Sequence, residues 1–163
     1  VVLNGFSKAY AMTGLRLGYF TAPAAFVQAA NLLHQNVVLC ANITAQYGAI
    51  AALKYCENDM LAMVAEYEKR RQIMIDVFKK IGLPLYEPEG AFYIFPSIKK
   101  FGMTSEEFAT KLLNEEKVAI VPGSAFGACG EGYLRVSYAY SIEELKEALG
   151  RLERFINHLS KKQ

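Results

Sequence analysis

One lysine and two arginines stand where their side chains could do chemistry. Lys8 lies in the run Gly5-Phe6-Ser7-Lys8-Ala9-Tyr10-Ala11-Met12-Thr13-Gly14, and it is the one charged residue of that run. Loops at strand ends carry reactive groups more often than strand interiors do. A lysine held there among apolar neighbours is poorly solvated, which favours the free amine that Schiff-base chemistry requires. Arg16 follows in Leu15-Arg16-Leu17-Gly18-Tyr19-Phe20-Thr21, which reads as a strand. An unpaired cation there is costly, so it calls for an anion, and phosphate matches its fork of donors. Arg135 alternates with Leu134 and Val136 in Tyr133-Leu134-Arg135-Val136-Ser137-Tyr138 and projects from the face opposite to theirs. A carboxylate fits such a guanidinium through two parallel hydrogen bonds. The same residues also fit a plainer reading: a solvated loop lysine, an arginine at a sheet edge, and a structural ion pair at Arg135.

The order of residues around Lys8 resembles the Schiff-base lysine signature of the class I and II aminotransferases, enzymes that use pyridoxal phosphate (PLP) on the type I fold. The shared pattern is small-aromatic-Ser-Lys, then Met-Thr-Gly, then hydrophobic-Arg-hydrophobic-Gly-Tyr, about fifteen ordered positions ending at Tyr19. The resemblance continues through Pro88-Glu89-Gly90-Ala91-Phe92-Tyr93, through Val118 to Gly127, and through Tyr133 to Tyr138. It implies that Lys8 is the catalytic residue, forming the Schiff base with PLP and then shuttling the substrate's α-proton. It implies that Arg16 holds the cofactor phosphate and that Arg135 holds the substrate carboxylate. Gly5 stands where the aspartate aminotransferases of the family have a phosphate-binding Ser, so a backbone N–H takes that part here. Within 36–46 the family approaches a neighbouring subunit's cofactor, and Asn42 and Thr44 are the polar residues there. Asn42 reads equally well as a helix N-cap. Tyr93 and Phe95 read as core aromatics.

The elements that must position these residues follow from periodicity and punctuation. Val1 to Leu3 ends a buried strand, and 15–21 is a second. Pro23 opens a helix to about Gln35, and Ile43 to Tyr55 is another. A helix of about 23 residues covers 59–81, spanning about 34 Å. Its apolar positions Met60, Met63, Val64, Tyr67, Met74, Val77, Phe78 and Ile81 form one stripe, and Gly82 and Pro84 end it. Strands follow at 91–95, 118–121 and 133–138. Thr104 with Glu107, and Ser141 with Glu144, are capping boxes that start two helices. The expected fold class is α/β, the C-terminal part of the PLP-dependent transferase fold. Residues 1–58 are a remnant of the large PLP-binding domain and the end of its sheet. Residues 59–82 are the connecting helix, and 83–163 the small α+β C-terminal domain.

The chain opens Val1-Val2-Leu3-Asn4 without a Met, already inside an apolar run, which reads as a fragment. By resemblance, the family's residues around the cofactor ring lie upstream of Val1. The 163 residues alone are therefore expected to be inactive and to bind PLP weakly.

Composition narrows the partners. Net charge is +2, and the cations are interspersed with acids, as in Glu66-Tyr67-Glu68-Lys69-Arg70-Arg71, which reads as a solvated helix face. That excludes a nucleic-acid patch. No apolar run reaches the roughly 18 residues of a membrane span. Cys40, Cys56 and Cys129 share no metal-ligand spacing and read as reduced, mostly buried thiols of a cytoplasmic protein. No metal site is expected.

The expected activity is transfer of an amino group between an L-amino acid and a 2-oxo acid, in a homodimer of the intact protein. Two other readings share the motif. One is a β-lyase or decarboxylase on the same fold, and the other is an aminotransferase-like effector domain of a transcription regulator. Aspartate, alanine and aromatic substrates all remain open.

Overall fold

The two capping boxes start helices where the sequence puts them. In a computed structural model, which describes residues 1–160, Thr104 Oγ1 accepts from the Glu107 N–H while a Glu107 carboxylate oxygen accepts from the Thr104 N–H at 2.9 Å. Ser141 and Glu144 make the same reciprocal pair at 3.2 Å in each direction. These boxes open α4 (Ser105–Glu116) and α5 (Ile142–Ser160). The last three residues of the domain drawn at 83–163 lie outside the described residues.

The chain divides into two compact units, Val1–Val64 and Ala65 onward, the boundary falling inside α3 (Glu57–Lys80). In the first unit, β1 (Val2–Gly5) and β2 (Gly18–Thr21) pair antiparallel with Asn4 opposite Tyr19. Helices α1 (Ala24–Val37) and α2 (Ile43–Tyr55) follow. Asn42 is the N-cap of α2, its side-chain oxygen accepting from the Ala45 N–H at 3.0 Å. The strand at Val1 to Leu3 was expected to be buried, and it is not: Leu3 is 77% exposed. A two-stranded ribbon has two faces and no interior of its own. The second strand also starts later than expected. Thr13–Leu15 is a turn of 3-10 helix, and Arg16 is left-handed at φ 54°, ψ 48°. Arg16 therefore precedes β2 rather than lying within a strand.

The second unit is built on a three-stranded antiparallel sheet with β5 (Leu134–Ser137) in the middle, between β3 (Tyr93–Ile94) and β4 (Val121–Pro122). Ile94 lies opposite Val136, and Val121 opposite Arg135. The two outer strands are shorter than their apolar runs, because 91–92 and 118–120 form no ladder. One face of the sheet meets α3, α4 and α5 in a core that includes Met74, Phe78, Ile94, Phe108, Leu134, Leu149 and Phe155. The apolar period of α5 buries Leu145, Leu149, Leu152, Phe155 and Ile156 together. Of the expected α3 stripe, Met74 and Phe78 are buried, joined by Ile75, whereas Val64 is exposed. The charged run on α3 is only partly a solvated face. Lys69 pairs with Glu66 in the open, but Arg70 and Arg71 are half-buried. Arg71 donates Nε–H to the Pro88 carbonyl.

The Thr104 N–H and side chain hold the Glu107 carboxyl below its ordinary value of 4.5, the backbone bond being the larger cause. A carboxyl depressed by folding contributes stability that is fully present above its unfolded value and is lost as pH falls through its folded value. The thermal midpoint is therefore expected to fall as pH drops from about 6 to about 3, and to fall less steeply in Glu107→Gln. Parallel pH profiles for the two proteins would refute this.

Candidate active site

Lys8 and Arg16 share one loop, and its shape follows from local hydrogen bonds. Phe6 is buried and anchors the excursion between β1 and β2, with rings of Tyr10 and Tyr19 at 5.8 and 5.6 Å. The Phe6 N–H donates to the Leu17 carbonyl at 3.2 Å, and the Phe6 carbonyl accepts from Tyr10 and Met12. The Thr13 hydroxyl donates to the Ser7 carbonyl at 2.8 Å. Ala11 and Arg16 both sit at φ 54°, a conformation that costs a residue with a Cβ and recurs at functional loops. Gly18 permits the close crossing: a Cβ there would lie 3.1 Å from the Asn4 carbonyl oxygen.

This geometry leaves Lys8 exposed, not among apolar neighbours as expected, while Met12 and Leu15 of the same loop face Gly48 of α2. Its amine has no hydrogen-bond or ion-pair partner among the described residues. Arg16 is exposed as well, and its guanidinium donates to the Thr13 carbonyl at 3.0 Å with no carboxylate pairing it among the described residues. The stretch from Gly5 to Gly18 holds no acidic residue. An amine for a carbonyl, and for a phosphate a guanidinium that no carboxylate pairs among the described residues, are donors that fit PLP. The backbone stand-in at Gly5 does not fit, because that N–H already donates to Asn4 Oδ1 at 2.7 Å.

Arg135 belongs to the second unit and sits on the sheet face opposite to Leu134. Period-two alternation sends Arg135 and Ser137 to one side, and Tyr93, opposite Ser137, joins them. The guanidinium carbon lies 4.5 Å from the Tyr93 ring centre and 4.4 Å from that of Phe126. Phe126 in turn meets Phe95 edge-on at 6.3 Å, and Phe95 stacks on Tyr133 at 5.6 Å. Tyr93 and Phe95 are therefore not core, as the sequence suggested. Tyr93 is half-buried against the cation, and Phe95 is 36% exposed. No carboxylate pairs with Arg135 among the described residues, so the structural ion pair is absent there. Arg135, Tyr93 and Ser137 line a cavity of about 640 Å³. Phe126 escaped the sequence reading because it lies in a loop, although the Val-Pro-Gly-Ser segment just before it was a signal.

The three cysteines are free: Cys40 and Cys129 are exposed and Cys56 is half-buried, which corrects the expectation of burial. Among the described residues no group of His, Cys, Asp and Glu could hold a metal, and no helix is long and apolar enough to cross a membrane.

Comparison with known proteins accounts for nearly the whole chain. Residues 1–152 match the family "Aminotransferase class I and II". The chain is 51% identical over 157 residues to YugH of Bacillus subtilis (strain 168), whose name is that of an aminotransferase and states no substrate. That alignment covers 96% of this chain and 41% of YugH. It is 45% identical over 159 residues to an aspartate aminotransferase of Pyrococcus abyssi, covering 96% and 41%. The crystal structure of an aromatic aminotransferase from Pyrococcus horikoshii matches with a TM-score of 0.92 at 42% identity, covering 96% of this chain and 42% of that one. The chain thus spans about two fifths of the length of the relatives it matches, and it has their fold over that span.

Proposed function

The chain belongs to the class I and II aminotransferase family, and from that premise we propose that the whole protein transfers an amino group between an L-amino acid and a 2-oxo acid, using PLP. PLP, when bound, supplies the electron sink. With PLP bound, Lys8 would hold the cofactor through its amine and would carry a proton at Nζ to and from the substrate's α-carbon. Arg16 holds the phosphate. Arg135 takes the carboxylate that both substrates share.

One observation carries this reading. The half-buried guanidinium of Arg135 lies between two aromatic rings, with no acid of the described residues paired to it. Both rings lie at cation–π distance, and the guanidinium N–H groups make no hydrogen bond among the described residues, so they are left for a planar anion. A cation kept in this way fits a ligand's carboxylate better than a structural pair. The reading extends to a cytoplasmic homodimer. Free thiols suit a reducing compartment.

The test is Arg135→Lys in the whole protein. Lysine keeps the charge and loses the two-pronged fit. The expected loss is about 10- to 100-fold in kcat/KM for both the amino acid and the oxo acid, the size of a charged hydrogen bond. Cofactor absorbance should stay unchanged. Equal kcat/KM in the variant and the parent would overturn the reading.

A further inference from the structure

Ser105 is the one fully buried polar residue recorded for the described chain, at the first turn of α4, and its partners join two loops. The Glu131 carboxylate accepts the Ser105 N–H at 2.7 Å, the Ser105 hydroxyl at 3.0 Å and the Gly132 N–H at 2.9 Å. The Ser105 hydroxyl has a single proton, and the charged oxygen is its stronger acceptor. Ser105 Oγ is left to accept from Ser124, whose hydroxyl lies 3.1 Å away and whose N–H lies 3.4 Å away. Ser124 shares a turn of 3-10 helix, Gly123–Phe126, with the ring that covers Arg135. The base of this loop is drawn tight where Gly123 crosses Gly130. A Cβ on Gly123 would fall 2.0 Å from the Gly130 oxygen.

We propose that Glu131 is a positioning residue for the Arg135 site: through Ser105 and Ser124 it seats Phe126 against the guanidinium. Phe126 itself is 47% exposed, so packing alone does not hold it. Three hydrogen bonds to one carboxylate, passed on through one hydroxyl, tie its turn to the buried first residue of α4. An amide in place of the carboxylate keeps the volume but loses the charge that makes this chain of bonds strong. The proposal deepens the reading of Arg135 as a carboxylate site and rests on it for its function.

The experiment uses the whole protein, ¹⁵N-labelled, with the Arg135 Nε–H resonance assigned by its loss in Arg135→Lys and with acetate as the probe. Two flanking rings displace that resonance from the position of a free arginine. Glu131→Gln and Ser124→Ala are expected to move it back toward that position. Thr104→Ala removes the other tether at the same end of α4 and is expected to leave it in place. Acetate affinity read at this resonance should fall about fivefold in Glu131→Gln, the size of one cation–π contact, and recover in part in Glu131→Asp. An Arg135 resonance unmoved in Glu131→Gln overturns the proposal, as does an equal shift in Thr104→Ala. If Glu131→Gln loses its dispersed spectrum, Ser124→Ala decides, since it leaves the carboxylate on the helix end. The absence of a saturable acetate shift in the unmodified chain would overturn the carboxylate reading alone, leaving the movement of the resonance to judge Glu131.

Discussion

Replacing Lys8 with Ala in the whole protein is expected to lower kcat for amino transfer by at least about 10³-fold, and to abolish the absorbance of cofactor joined to a lysine. The size follows from the two tasks assigned to one amine. It holds the cofactor aldehyde, and it moves the α-proton, a kind of transfer worth about 10²- to 10⁴-fold by itself. The structure makes the experiment clean. The Lys8 side chain is exposed and has no hydrogen-bond or ion-pair partner among the described residues, so its removal takes nothing from their packing. The loop is held by other groups: Phe6 and its carbonyl, and the Thr13 hydroxyl on the Ser7 carbonyl. Compared without cofactor, the two proteins should match in circular dichroism and thermal midpoint. Retention of more than about a tenth of kcat would remove Lys8 from the chemistry.

The largest effect on stability is expected at Phe108. This residue is fully buried in α4, with its ring 5.5 Å from Phe101 and 5.2 Å from Phe155. Phe108→Ala removes a ring that helices α4 and α5 share, and the backbone on either side is too regular to collapse into the space. The cost is about 3–5 kcal/mol. A domain of this size holds only about 5–15 kcal/mol in total, so its thermal midpoint should drop by about 15 °C or more. Phe126→Ala is the matched control: the same atoms leave an exposed position, and the midpoint should move by no more than a few degrees. Near-ultraviolet dichroism, which follows tyrosine packing in this Trp-free chain, reads both. Equal midpoints for the two variants would mean that the core is not centred where the structure puts it.

The contrast between these two phenylalanines shows what could be read ahead of the structure. Phe108 lies four residues after Thr104, on a helix whose start is dictated by a capping box, and local hydrogen bonds of this kind need nothing beyond a few neighbouring residues. The same holds for Asn42 at α2 and for the box of Ser141 and Glu144. The Lys8 motif was legible for a related reason: its chemistry is written in consecutive positions. Phe126 is different. Its importance comes from lying 4.4 Å from the guanidinium of a residue nine positions further on, across a loop that two glycines fold back on itself.

The sequence by itself determined the helices and their caps, the order of strands, and the three residues with which the functional reading began, Lys8, Arg16 and Arg135. These are local properties of spacing, polarity and backbone preference. Tertiary structure alone decided their surroundings. It showed Lys8 and Arg16 exposed in a loop whose buried anchor is Phe6. It showed Tyr93 taken out of the core to flank Arg135, because strand register sets which side chains share a face. It tied Glu131 to that site through Ser105 and Ser124, a connection between residues 26 and 19 positions apart. Burial, register and long-range hydrogen bonds depend on which segments meet, and no single segment carries that information.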